Sequence, residues 1–129
     1  MARENVEVVR AIYSAFARRG REALVERLDP SIRVYDRPFH PDVSVYEGRD
    51  GFLRFSEIDE EAFEEVVYEP QDFRTHGAYV VVPIKQRGRG KSSALDIQED
   101  IVNVWKLRRG KCVELRIFPT IEEALEATQ

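Results

Sequence analysis

The chain has 129 residues, 43% of them hydrophobic and 34% charged, with a formal net charge of −4 and one cysteine. Such a chain suits one soluble globular domain with enough length to bury a core. It has no basic excess to mark a nucleic-acid or anionic-membrane binder, and Cys112 alone excludes an internal disulfide. Met1 to Asn5 carries no apolar signal segment, and no stretch approaches the roughly 20 apolar residues of a membrane span. A reducing cytoplasm is therefore the expected compartment.

Val6, Val9, Tyr13 and Phe16 repeat at helical spacing and predict a helix over 5–18, ended by Gly20. Leu24, Val25 and Leu28 mark a short second helix, stopped by Asp29-Pro30. Ile32 to Asp36 alternates as a strand. Arg37 to Asp42 holds Pro38 and Pro41 and reads as loop, followed by a short strand over 44–47 and a break at Gly48. Phe52, Phe55, Ile58 and Ala62 predict a third helix over 49–62, with Asp59-Glu60-Glu61 on a solvated face.

Strands follow over 66–74 and 78–86, turned at Thr75-His76-Gly77. Pro83 cannot donate to a ladder and implies a bulge or an edge. Arg87-Gly88-Arg89-Gly90-Lys91 reads as a solvated hairpin loop. It lacks the helix start of a phosphate loop and the interleaved aromatics of a nucleic-acid platform. Leu95 to Leu107 and Cys112 to Phe118 form a long hairpin about Gly110, whose positive φ suits a tight turn. Pairing Leu107 with Cys112 sets Trp105 opposite Glu114, Asn103 opposite Arg116 and Ile101 opposite Phe118 on one face. Val102, Val104, Val113, Leu115 and Ile117 fall on the other. The mixed face, aromatic with a few convergent polar groups, has the character of a small-molecule pocket. The aliphatic face predicts a homodimer. Thr120 to Glu123 forms a capping box opening a last helix to about Ala127. The order predicts a single α+β domain over 1–129, with helices on one face of an antiparallel sheet.

Several stretches together resemble the ketosteroid-isomerase-like, SnoaL-like superfamily, which shares its cone fold with nuclear transport factor 2. They are Glu4-Asn5-Val6, Leu28-Asp29-Pro30, Asp36 with Pro38 after it, Tyr46-Glu47-Gly48-Arg49-Asp50, Val104-Trp105-Lys106-Leu107, Gly110-Lys111 and Glu122 to Ala127. The resemblance covers nearly the whole chain. It implies a strongly curved antiparallel sheet wrapped over the N-terminal helices, a pocket in the cone, a small-molecule ligand, no required cofactor and a homodimer. The superfamily's activities are diverse, so fold does not settle function.

Asp36 matches the position at which such isomerases keep a general base. A carboxylate near apolar groups such as Tyr35 and Phe39 can shuttle a proton, while a turn role or a pair with Arg37 is the structural alternative. Asn103 matches a position that carries an acid in those isomerases. Its amide can also donate to an enolate oxygen, but protonation cannot tune it. Tyr13 matches the phenol of that oxyanion hole, and on an apolar helix stripe it also suits a core role. Arg116 is expected to face Asn103 and bind a ligand oxygen, or else to bridge to Glu114, Glu99 or Asp36. Trp105, Phe118, Tyr35, Phe39 and Phe55 are the expected pocket wall. His40 and His76 have no second ligand at useful spacing, so no metal is expected, and Cys112 has no paired histidine. The chain is thus expected to be either an acid–base enzyme (isomerase, cyclase, hydratase or dehydratase) on an apolar oxygen-bearing substrate, or a non-catalytic homodimer that binds a ligand or a protein partner.

Overall fold

The computed structural model describes residues 2–18, 21–36, 45–62, 64–91 and 95–129. Gly20, the loop with Pro38, Phe39, His40 and Pro41, Ser44, and the side chains of 58–62 lie outside the described residues. Helix α1 spans Ala2–Ala17, and α2 is a short helix over Arg21–Glu26. Val8, Val9, Ile12 and Ala15 are buried on α1, at the spacing of one apolar stripe. Strand β1, Leu28–Tyr35, follows; β2, Val45–Glu47, runs directly into α3, Gly48–Ala62. The Arg49 guanidinium donates to the Leu28 carbonyl through Nε at 3.0 Å and Nη2 at 2.8 Å, which ties the start of α3 to the start of β1.

The remaining strands are β3 (Val67–Pro70), β4 (Arg74–His76), β5 (Tyr79–Arg89), β6 (Asp96–Arg108) and β7 (Lys111–Phe118). Among the described residues the sheet order is β2-β1-β7-β6-β5-β3, with β4 also paired to β5. The sheet is curved and unclosed, and the N-terminal helices pack with its inner face, as the sequence led us to expect. One pairing departs from the antiparallel expectation: β1 runs parallel to β7. Tight turns enforce antiparallel pairing only between strands adjacent in sequence, and these two are joined through most of the chain.

β5 continues to Arg89, so the expected basic loop is strand for most of its length. Its arginines are held in ion pairs, Arg87 with Glu69 at 2.8 Å and Arg89 with Asp96 at 3.3 Å. Pro83 lies where β5 changes partner from β4 to β3, and its carbonyl accepts from Gln71 N–H at 2.8 Å. Its missing N–H thus falls at a break in the neighbouring ladder, which is why a central strand tolerates it.

The β6–β7 hairpin closes through Arg109 and Gly110, at φ 54° and 76°, the left-handed pair that a two-residue turn requires. Leu107 pairs with Cys112 as expected. One residue further the register shifts, because Lys106 pairs with Glu114 and Val113 is left over as a bulge. An extra residue exchanges the two faces of all that follows. Asn103 therefore lies opposite Ile117 and Trp105 opposite Leu115, not opposite Arg116 and Glu114. Leu115 and Ile117 join the inner core, while Arg116 pairs with Val104 on the outer face.

Helix α4, Ile121–Ala127, starts at Thr120, whose side chain accepts from Glu123 N–H at 3.3 Å. It packs on the outer face over Val81, Val102 and Val104. Val102 and Val104 are 5% and 1% exposed, so the aliphatic patch expected to be bare is covered by the chain's own C-terminal helix.

Candidate functional site

A cavity of about 70 Å³ lies between the inner sheet face and helices α1 and α3. That is several times the roughly 10–15 Å³ that one water occupies by this measure. α1 contributes Ile12, Tyr13 and Phe16, and α3 contributes Phe52, Phe55 and Ser56. The sheet supplies Tyr68, Gln86, Ile101, Asn103, Trp105, Leu115 and Ile117, with Asp36 just past the end of β1. The helix residues come from i, i+3, i+4 stripes and the strand residues from alternate positions, so two periodicities converge on one space.

Tyr13 is the centre of the polar cluster. Its hydroxyl oxygen accepts from the Asn103 side-chain amide at 2.7 Å and from Trp105 Nε1–H at 2.9 Å. The rings of Trp105 and Phe73 meet the Tyr13 ring edge-on, at centroid distances of 5.9 and 6.2 Å. Burial raises the Tyr13 pKa well above its ordinary value, and the two donated hydrogen bonds only partly offset this. The phenol stays protonated at neutral pH. With both acceptor positions of its oxygen taken, its own O–H remains as a donor. The Asn103 carbonyl oxygen, Oδ1, is buried with no hydrogen-bond partner. A half-turn of that amide would exchange its donor and acceptor, leaving N–H groups in place of the oxygen. In both arrangements the pair keeps a donor for a ligand oxygen.

Asp36 lies one residue beyond the Tyr35–Arg116 pair of the parallel ladder, level with Ile117, whose partner across β6 is Asn103. Two strand spacings, roughly 10 Å between backbones, separate Asp36 from Asn103. Ser56 donates from Oγ to the Leu53 carbonyl at 2.8 Å.

Of the expected site residues, the structure brings Tyr13, Asp36, Phe55, Asn103 and Trp105 to this cavity. Tyr35, Arg116 and Phe118 are not among its lining residues. The bulge at Val113 turns Arg116 and Phe118 outward, and Tyr35 stands beside Arg116 on that face. The Arg116 guanidinium lies 4.9 Å from the Tyr35 ring centre and 3.2 Å from the Glu114 carboxylate. It serves a surface cluster, where it cannot face Asn103. Phe39 lies outside the described residues.

Gln86 was not singled out from sequence. The available signal was a polar side chain at the end of an apolar alternation, Val80, Val82 and Ile84. Among the described residues no group of three His, Cys, Asp or Glu is placed to hold a metal ion, and no helix is long and apolar enough to cross a membrane. Cys112 is buried, and that burial pushes its thiol up to about 12.

The model of the SnoaL-like domain family matches residues 9–115. An NTF2-like protein of unknown function from Burkholderia pseudomallei superposes with a TM-score of 0.79 at 22% identity, covering 98% of each chain. A candidate SnoaL-like polyketide cyclase from Jannaschia sp. gives 0.79 at 19% identity, covering 99% of this chain and 93% of the other. A protein of ketosteroid-isomerase-like fold from Catenulispora acidiphila, solved with trimethylamine, gives 0.75 at 15% identity, covering 95% and 92%. No curated protein matches the chain by sequence.

Proposed function

Because the chain belongs to the SnoaL-like domain family, we propose that it is an acid–base enzyme acting on an apolar, oxygen-bearing small molecule. The observation that carries this is the Tyr13 hydroxyl, held by Asn103 and Trp105 within a cavity that Asp36 also lines. The shared step of isomerisation, cyclisation and dehydration on such substrates is removal of a proton beside a carbonyl. Asp36 takes that proton, the C–H electrons become a C=C bond, and the carbonyl electrons move onto oxygen. The Tyr13 O–H donates to that oxygen as its charge grows, and Asn103 holds the phenol in place. Asp36 then returns the proton at the same or a second carbon. Trp105, Phe52 and Phe55 exclude water and hold the apolar body of the substrate. The Jannaschia protein's assignment as a polyketide cyclase fits this class of chemistry.

2-Naphthol, a stable mimic of the enol of 2-tetralone, tests the oxygen site. Wild type is expected to bind it about tenfold or more tightly than naphthalene, since a hydrogen bond in a desolvated site contributes on the order of 1.5 kcal/mol. Tyr13→Phe should reduce the preference. Equal binding of both compounds by wild type would contradict the assignment.

The proposal includes a homodimer across the outer face of β1 and the adjoining part of β7. Helix α4 packs over β5, β6 and the Phe118 end of β7, whereas Val45 is 39% exposed beside Tyr35 on the β1 side of that face. The neighbouring Arg33, Glu47, Glu114 and Arg116 carry both signs of charge, which suits a self-complementary twofold contact.

A further inference from the structure

Gln86 is 6% exposed, lines the cavity, and has its carbonyl oxygen, Oε1, buried without a hydrogen-bond donor. A buried acceptor left without a donor is destabilising, so the chain carries a penalty there that a ligand could remove. Among the described residues, Asn103 Oδ1, 7% exposed as a residue, is the other orphaned buried acceptor of this cavity. The two are far apart. Asn103 pairs with Val82, and Gln86 lies four residues further along the same face of β5. At about 3.3 Å per residue, and with one strand spacing between them, their backbones are roughly 14 Å apart. Ile101 lies on the cavity wall between them, and Phe16 and Tyr68, in edge contact at 5.4 Å, flank the Gln86 end. Along the sheet wall the cavity therefore carries an amide toward each end, with Ile101 between them.

We propose that Gln86 is a second ligand anchor and a specificity residue, selecting molecules that carry a hydroxyl or N–H donor at the end remote from the oxygen held by Tyr13. The inference rests on the reading of the Tyr13 end as the oxygen site. The ligand it describes is elongated, with an acceptor oxygen at one end, a ring or chain of apolar carbon spanning Ile101, and a hydrogen-bond donor at the other. Gln86 does no chemistry here. It fixes which way round the ligand lies, and so which carbon is presented to Asp36.

Two matched probes test this: 6-hydroxy-2-acetylnaphthalene, and the same ketone with methyl in place of hydroxyl. Titration calorimetry of wild type should give roughly 10- to 100-fold tighter binding of the hydroxyl compound. Gln86→Leu, and Gln86→Met as a second variant of similar length, should bind both ketones alike, with the methyl compound no weaker than in wild type. Tyr13→Phe should weaken both and keep the hydroxyl preference. Equal binding of both probes by wild type would overturn the Gln86 proposal, as when a water satisfies its oxygen, and leave the Tyr13 site standing. A hydroxyl preference that survives in both Gln86 variants would also overturn it. Binding of neither probe would overturn both readings.

Discussion

The Asn103 side-chain amide on β6 donates to the Tyr13 hydroxyl on α1 at 2.7 Å, across 90 positions of sequence. The contact joins the first helix to the centre of the sheet inside a largely apolar enclosure. Trp105, two residues further along the same face, donates to the same oxygen. Tyr13→Phe keeps the ring and removes the acceptor, so both donors lose their partner. Urea unfolding should show a loss of about 1–3 kcal/mol. A loss below about 0.5 kcal/mol would mean that water replaces the hydroxyl and the cluster is open.

The same enclosure sets the alkaline limb of stability. The Tyr13 phenol ionises at 10.0 when unperturbed, and burial raises it in the folded protein. The Cys112 thiol is raised from 9.0 to about 12 by burial. Well below pH 9 both groups are neutral in the folded and unfolded chain, and their contribution is fully present. Above that the unfolded chain releases protons that the folded chain retains, so stability falls as pH rises toward the folded values. The thiol alone gives a slope of up to about 1.4 kcal/mol per pH unit. Unfolding free energies measured at pH 8, 9.5 and 10.5 should decline, and Cys112→Ala should flatten the portion that begins near pH 9. An unchanged slope in that variant would contradict the thiol's part.

The bulge at Val113 predicts which residues of β7 matter to the core. Leu115 is 2% exposed, and Leu115→Ala should cost about 2–5 kcal/mol. Arg116 sits in a partly exposed ion pair with Glu114, and Arg116→Ala should cost about 0–1 kcal/mol. Thermal or urea unfolding checks both. A larger loss at Arg116 than at Leu115 would restore the regular pairing that the sequence alone suggested.

Much of the architecture was legible before any coordinates. The α1 and α3 stripes, the Gly110 turn, the Thr120 cap and the antiparallel pairing of β5, β6 and β7 follow from local rules of spacing and backbone conformation. The bulge was not, because the register of a hairpin was extrapolated from its turn, and one unpaired residue reverses every face beyond it. β7 itself held the correction: Leu115 and Ile117 are apolar, Glu114 and Arg116 are charged, and alternation already assigns the first pair inward. The parallel pairing of β1 with β7 depends on how distant segments meet, which no local pattern encodes. For the site, Tyr13 and Asn103 were found through family resemblance, and their mutual hydrogen bond only through the fold. Gln86 carries meaning only once its carbonyl is seen buried without a donor.

The outer face of β1 and β7 yields a prediction about assembly. Sedimentation equilibrium at micromolar concentration should give a dimer, and Tyr35→Glu with Val45→Asp should dissociate it without changing the unfolding of the isolated chain. A monomeric wild type would rule out this interface.

In the proposed reaction Asp36 takes a proton from the carbon beside a carbonyl whose oxygen the Tyr13 O–H holds. The most direct test is deuterium exchange at the acidic CH₂ of 2-tetralone in D₂O, followed by proton NMR with catalytic protein. Wild type should accelerate exchange over buffer. Asp36→Asn should reduce the enzyme-dependent rate by about 10²–10⁴-fold while its unfolding midpoint stays close to wild type. Exchange no faster than buffer with wild type, or equally fast with Asp36→Asn, would contradict the account.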